Sequence, residues 1–259
     1  MNLSNNHSKY IRSLGMSKFR QKYENFVAEG DKTCGELLNS DFSIECVVAL
    51  PSWLEYNGHS LKKPNYPVYT ASQEQMEQIS SLQQPSDVVV VAKQKWSSLS
   101  DILALTKPLF FLDGVQDPGN VGTIIRIADW FGFGGVLLGP GTADGFHPKV
   151  VQATMGSVVG IPMVKTDRPS LLSLIDVHQI CLLDMGGDVL SLNTKLPFQV
   201  YVLGSEGKGI DAAWKQSNPK PACLSIVGSA IKVAESLNVG VAAGIVGHHV
   251  FNYNLQLSK

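Results

Sequence analysis

The sequence predicts an α/β protein in two parts, a small α/β unit followed by a larger one built on a parallel sheet. From Leu109 onward, short apolar runs alternate with helical segments, the pattern of parallel strands joined by helical crossovers and covered on both faces. Ahead of them, residues 1–97 carry their own alternation of helices and β-branched runs, about a hundred residues and within ordinary domain size. Between the two, residues 93–107 are polar (Lys93, Gln94, Lys95, Ser97, Ser98, Ser100) and lack a sustained period, so they read as a linker with one helical turn. The expected boundaries are 1–97, 98–107 and 108–259.

In the first unit, residues 6–22 read as a helix with a basic face. The apolar segment Phe26-Val27-Ala28, the turn at residues 29–32, a helix over 34–38 and a strand over 44–50 follow. A strand at 67–69, a helix over 72–82 and the β-branched strand 87–92 complete it. In the second unit the strands are expected at 110–115, 135–138, 159–164, 171–176, 180–185, 200–203 and 222–227. The helices are expected over 121–131, 148–155, 211–216 and 237–252. Ligands of such sheets bind beyond the carboxyl ends of the strands.

With 44% apolar residues in 259, the chain can bury a substantial core. Cys34, Cys46, Cys181 and Cys223 are scattered with no C-x-x-C pair, so neither a zinc site nor a disulfide framework is expected, and a reducing cytoplasm suits them. The polar N-terminus is not a signal core, and no apolar run approaches the roughly 20 residues of a membrane span, so no membrane insertion is expected. A net charge of -1 gives no overall basic footprint. The distribution is uneven, however. Between positions 9 and 32 lie Lys9, Arg12, Lys18, Arg20, Lys22 and Lys32 against Glu24, Glu29 and Asp31, an excess of three positive charges. An RNA contact and a solvated helix face both explain such a run.

Three blocks concentrate the chemistry. In the first, Asn120 and Arg126 stand six apart in an otherwise apolar helical run. An arginine there is costly to bury without a partner, so it is either functional or turned to solvent. Asn120 can cap the helix, contact a ligand, or both. In the second, a strand ending at Leu203 runs into Gly204-Ser205-Glu206-Gly207-Lys208-Gly209, a turn whose backbone can approach a ligand closely. Glu206 is an active group or an exposed turn carboxylate. In the third, Ser236-Leu237-Asn238 precedes a small-residue helix, where either polar side chain can cap or line a site. Two other glycine-loop chemistries are excluded by spacing. Neither 132–135 nor 204–209 has the G-x-G-x-x-G of a dinucleotide site, and Gly204 to Gly207 is too short for a P-loop, with Lys208 followed by Gly209 instead of Ser or Thr.

In order and character these blocks resemble the three signature motifs of the SpoU (TrmH-like) RNA ribose 2'-O-methyltransferases of the SPOUT superfamily. The resemblance implies a trefoil-knotted parallel-sheet domain over 108–259, with the knot formed by about 204–252. It implies binding of S-adenosylmethionine, homodimerisation and methylation of a ribose 2'-hydroxyl of rRNA or tRNA, with no metal. It implies that Arg126 acts on the 2'-hydroxyl or a nearby phosphate, with Asn120, Glu206, Ser236 and Asn238 completing the catalytic site. Leu203, Gly204, Gly207, Gly228 and Leu237 would hold the cofactor. The first unit, more loosely, looks like the L30-like substrate-binding domain that precedes many such enzymes, with Lys18, Arg20 and Lys32 on RNA phosphate. The chain departs from the family where an Ile-Pro-Met-x-Gly segment is usual and Gly228-Ser229-Ala230-Ile231-Lys232 stands instead. That change puts the adenine pocket in question and keeps open a non-catalytic RNA-binding relative. The stripe Val239, Ala242, Ala243, Val246 and Val250 offers either a dimer face or packing for the domain's own sheet.

Overall fold

The structure, a computed structural model, describes residues 1–58, 61, 65–229, 231 and 233–257. It divides into two compact units, Met1–Lys95 with Phe146–Val159, and Trp96–Gly145 with Gly160–Lys259. The segment 146–159 thus groups with the first unit although the sequence places it among the second unit's elements. An aromatic contact explains why: Phe146 is fully buried and its ring lies 4.7 Å from that of Phe26.

In the first unit, β1 (Asn25–Glu29), β2 (Ile44–Ala49), β3 (Val68–Thr70) and β4 (Val88–Lys93) form a mixed sheet in the order β1-β4-β2-β3. β4 runs antiparallel to both neighbours and β2 parallel to β3. The apolar segment around Val27 is therefore a strand. The helix expected over 6–22 is two, α1 (Asn5–Ser13) and α2 (Ser17–Tyr23). The side chain of Arg20 fastens the break between them: it is only 1% exposed and Nη1 donates to the carbonyls of Leu14 and Gly15, each at 2.9 Å. This corrects the expectation that Arg20 meets RNA, because a guanidinium spent on buried carbonyls at a helix end cannot also face a phosphate. Lys18 and Lys32 are exposed. The remaining helices here are α3 (Asp31–Leu38), α4 (Pro51–Asn57), α5 (Gln73–Ile79) and, from the later segment, α8 (Pro148–Ala153).

The second unit is a six-stranded sheet, parallel throughout. Its strands are β5 (Leu109–Asp113), β6 (Gly135–Leu138), β7 (Met163–Lys165), β8 (Ile180–Val189), β9 (Val200–Gly204) and β10 (Ala222–Ser225), in the order β10-β8-β9-β5-β6-β7. Around it lie α6 (Leu99–Ala104) within the expected linker, α7 (Pro118–Trp130), α9 (Arg168–Leu172), α10 (Ala212–Lys215) and α11 (Val239–Leu257). The apolar run at 171–176 falls on the end of α9 and the turn after it instead of forming a strand. Alternate strand residues serve the two faces: Leu109, Phe111, Val200 and Val202 share a cluster with Trp214, while Phe110 stacks on Phe133 at 4.1 Å. The chain steps outward from β5 to β6 and β7 and later returns on the other side of β5. The strand order therefore reverses between β5 and β9, where an open α/β sheet places its ligands.

Two features bear on the site. β8 meets β10 twice, Cys181 and Leu182 opposite Ala222 and Cys223, then Asp188 and Val189 opposite Leu224 and Ser225, so residues 183–187 bow out of the ladder. Gly187 makes this possible, since a Cβ there would stand 2.5 Å from the carbonyl carbon of Cys223. Helix α11 packs closely on α7: Cβ atoms at Gly240 and Gly247 would come within 3.2 Å of Thr123 and 2.8 Å of Phe131. Val239, Ala243, Val246 and Val250 are buried in this packing, so most of the apolar stripe of the last helix is used within the unit.

Candidate active site

The three sequence blocks meet at the carboxyl edge of the sheet. The first enters through the start of α7, where Asp117, not Asn120, is the cap: its Oδ1 accepts the Asn120 amide N–H at 2.9 Å, and Pro118 opens the helix. The Asn120 side chain, freed from capping, donates from Nδ2 to Glu206 Oε1 at 2.5 Å. The second block follows β9. Ser205 and Gly209 exchange two backbone hydrogen bonds of 3.0 and 2.8 Å, folding the turn back on itself and presenting Glu206 at its tip. Gly204 permits this return, because a Cβ there would lie 2.3 Å from the carbonyl carbon of Gly209.

The third block contributes Asn238. Its Oδ1 accepts the N–H groups of Gly240 and Val241 at 2.9 and 3.3 Å, capping α11. That leaves Nδ2 to donate outward, to Glu206 Oε1 at 3.0 Å and to Asn120 Oδ1 at 3.1 Å. The amide orientations follow in sequence: the helix start fixes Asn238, which presents its NH₂ to Asn120 Oδ1, which turns the NH₂ of Asn120 to the carboxylate. One oxygen of Glu206 thus receives two amide donors, and its negative charge is held by neutral groups.

Beside this cluster lies a cavity of about 380 Å³, within the roughly 300–1,000 Å³ of small-molecule sites. Leu203, Gly204, Glu206, Gly228, Ser236 and Leu237 all line it. Gly207 does not. It lines a neighbouring recess of about 200 Å³ with Gln116, Asp117 and Lys208. Arg126 sits six residues beyond Asn120, about 9 Å further along α7, and is exposed. Ser236 lines the cavity, whereas the helix cap is Asn238. In the altered segment, Gly228 reaches the cavity, while Ala230 and Lys232 lie outside the described residues.

The bowed part of β8 supplies a wall that sequence reading missed: Leu183, Asp184 and Met185 line the same cavity. The adjacent Gly186 and Gly187 in an apolar strand were the available signal of a bulge. Asp184 forms an ion pair with Lys215 of α10, whose pKa is raised by that hydrogen bond. At the other end of α10, Asp113 Oδ2 accepts the Asp211 N–H at 2.7 Å, tying the end of β5 to the chain that follows the glycine turn. Burial pushes the carboxyl of Asp113 above its ordinary range. A larger cleft, about 830 Å³, lies at the ends of β6 and β7 and is lined by none of the three blocks.

Comparison with known proteins agrees with this geometry. Residues 107–248 match the family model of the SpoU rRNA methylase family, and residues 5–90 match the MRM3-like substrate binding domain. The 23S rRNA (guanosine(2553)-2'-O)-methyltransferase RlmP of Bacillus subtilis (strain 168) is 29% identical over 252 residues, 92% of this chain and 93% of that protein. Among solved structures, the AdoMet-bound rRNA methyltransferase from Sinorhizobium meliloti superposes with a TM-score of 0.84 at 27% identity, covering 98% of this chain and 97% of the other. A TrmH-family protein from Porphyromonas gingivalis superposes with a TM-score of 0.80 at 32% identity, covering 96% and 98%. These relatives disfavour the reading of a non-catalytic RNA binder.

Proposed function

The chain belongs to the SpoU rRNA methylase family, and on that premise we propose that it transfers a methyl group from S-adenosylmethionine to a ribose 2'-hydroxyl of ribosomal RNA. The observation that carries this reading is the meeting of Asn120, Glu206 and Asn238 beside a cavity that Leu203, Gly204, Gly228 and Leu237 line. The donor set fits the cofactor. Apolar walls from Leu203, Ile226 and Leu237 suit an adenine, and the return of the chain at Gly204 leaves main-chain groups free of a Cβ that would otherwise crowd them. When bound there, S-adenosylmethionine supplies an electrophilic methyl group on sulfur.

The chain's own residues then have little covalent work. Holding the ribose oxygen in line with the methyl supplies much of the rate. Glu206, fixed by two amides, orients the nucleotide. The Arg126 guanidinium contacts the ribose oxygen or a neighbouring phosphate and favours the alkoxide as its proton leaves to solvent. Ser236 completes the wall. The first unit, Met1–Lys95 with Phe146–Val159, serves as the L30-like domain that selects RNA, with Lys18 and Lys32 on phosphate.

The trefoil knot, the homodimer and a cytoplasmic location belong to the same proposal. The knot is what the family resemblance implies. Because Val239, Ala243, Val246 and Val250 are buried within the unit, the dimer is assigned instead to exposed apolar residues, among them Trp130 at 82% exposure, Val241 and Phe251. The four free cysteines suit a reducing compartment. The reading is tested by incubating the protein with labelled cofactor and unmodified ribosomal RNA, with light scattering at micromolar concentration on the same sample. Transfer of label and a dimer mass are expected. No transfer despite cofactor binding would overturn the activity, and a monomer mass would overturn the dimer.

A further inference from the structure

We propose that α1 and α2 form a docking surface for a single-stranded segment of the RNA, in which a base stacks on Tyr23 while Lys18 and Lys22 take the flanking phosphates. This inference deepens the RNA-methylating reading and rests on it. The two helices carry Lys9, Arg12, Lys18, Arg20 and Lys22 and no acidic residue. With Arg20 buried as a structural donor, the other four cations are exposed. Tyr10 packs on the core of the unit, but Tyr23 stands at the surface among these charges. Here a ring ladder runs through them: Phe19 lies parallel to Tyr23 within 10° at 6.2 Å, and Tyr10 meets Tyr23 edge-on at 5.1 Å. Lys18 Nζ lies 4.9 Å from the Phe19 centroid and Lys22 Nζ 5.3 Å from that of Tyr23.

Tyr23 is the middle ring, between Phe19 and Tyr10, and remains 39% exposed; its neighbour Tyr10 is fixed by the Asn25 amide donating to the Tyr10 hydroxyl at 2.6 Å. Lys18 and Lys22 cover the Phe19 and Tyr23 rings, and long, exposed lysine side chains can swing to the flanking phosphates as a base takes the Tyr23 face, which meets what an unpaired base and its phosphates require: stacking without sequence choice, and charge neutralisation. A regular duplex keeps its bases stacked inside and offers only phosphates, so it could use the lysines but not the rings.

The test compares binding of the full chain to single-stranded oligoadenylate, to an abasic ribose-phosphate oligomer of the same length, and to a hairpin duplex, with thermal melting and S-adenosylhomocysteine binding as controls of folding. Tyr23→Leu should weaken oligoadenylate binding about tenfold, within the stacking contribution of a base, and leave the abasic oligomer unchanged. Tyr23→Phe should restore the affinity. Lys18→Ala with Lys22→Ala should weaken both oligomers and flatten the salt dependence by about 1.4 units, near 0.7 per lost contact on single strands. The proposal is overturned if Tyr23→Leu binds oligoadenylate as the wild type does, if it weakens the abasic oligomer equally, or if the duplex shows the same ring dependence. Binding of all probes unchanged by every variant would also overturn it and place the RNA elsewhere on the protein. Methyl transfer to ribosomal RNA by the wild type, measured alongside, distinguishes failure of this surface from failure of the enzymatic reading.

Discussion

Replacing Asn238 by aspartate isolates the contact that joins the three blocks. The new carboxylate keeps the acceptor for the Gly240 and Val241 N–H groups, so α11 stays capped. It loses both outward donations, to Glu206 and to Asn120, and sets an oxygen against Glu206 Oε1 where 3.0 Å now separates donor and acceptor. Two unit charges at that distance repel by roughly 1.4 kcal/mol even with the dielectric of water. The lost hydrogen bond to a charged acceptor is worth about 1.5 kcal/mol at the low end, where exposed groups belong. Together they amount to about 2 to 3 kcal/mol, a roughly 30- to 150-fold slower methyl transfer. Adjacent carboxylates raise one another's affinity for a proton, so the defect of Asn238→Asp should be greatest near pH 8 and shrink toward pH 5 as a shared proton restores one donor. Single-turnover transfer of labelled methyl, normalised to the wild type at each pH, measures this. A variant within threefold of wild type at pH 8, or a ratio independent of pH, would show that the Asn238 donations do not hold Glu206 for catalysis.

Further predictions address the rest of the site. Arg126→Ala should cut turnover more than tenfold, above about 1.4 kcal/mol of barrier, while calorimetry finds S-adenosylhomocysteine affinity within twofold of wild type, since Arg126 lines no part of the cavity. Gly204→Ala should abolish cofactor binding, because its Cβ would stand 2.3 Å from the Gly209 carbonyl carbon and the turn must open; binding retained within threefold would contradict the close return of the chain. Asp113 has its pKa raised from 3.8 by burial, so the folded state favours the protonated form and the group's contribution to stability falls as pH rises through its folded pKa. Asp113→Asn, still able to accept the Asp211 N–H, should therefore melt above the wild type at pH 8 with a difference that fades toward pH 4; the opposite trend would show that the charge is stabilising.

Much of the site was legible because its residues sit in short runs whose type and spacing restrict their use. The apolar helix around Arg126, the glycine turn after Leu203 and the Ser236-Leu237-Asn238 sequence could each be read locally, and the parallel sheet follows from strand and helix alternation. What escaped depends on contacts distant in sequence. Asp117 ahead of Pro118 was a local sign of the helix cap, but that the freed Asn120 amide reaches Glu206, 86 positions on, shows only in the fold. Arg20 reads as one more surface cation until the two carbonyls at the end of α1 claim it. The wall formed by Asp184 and Met185 was hidden because β8 leaves the ladder and rejoins it, which no periodicity reveals. Residues 146–159 join the first unit through a buried aromatic contact between Phe26 and Phe146, positions 120 residues apart.

The most direct measurement is the chemical identity of the product. Ribosomal RNA from cells lacking this protein, incubated with the purified chain and S-adenosylmethionine, is digested to nucleosides and analysed by mass spectrometry. A single new 2'-O-methylated nucleoside is expected, whose phosphodiester resists alkaline cleavage in the intact RNA and which is lost with Arg126→Ala. A methyl group on a base, or no methylated nucleoside from a protein that binds both cofactor and RNA, would contradict it.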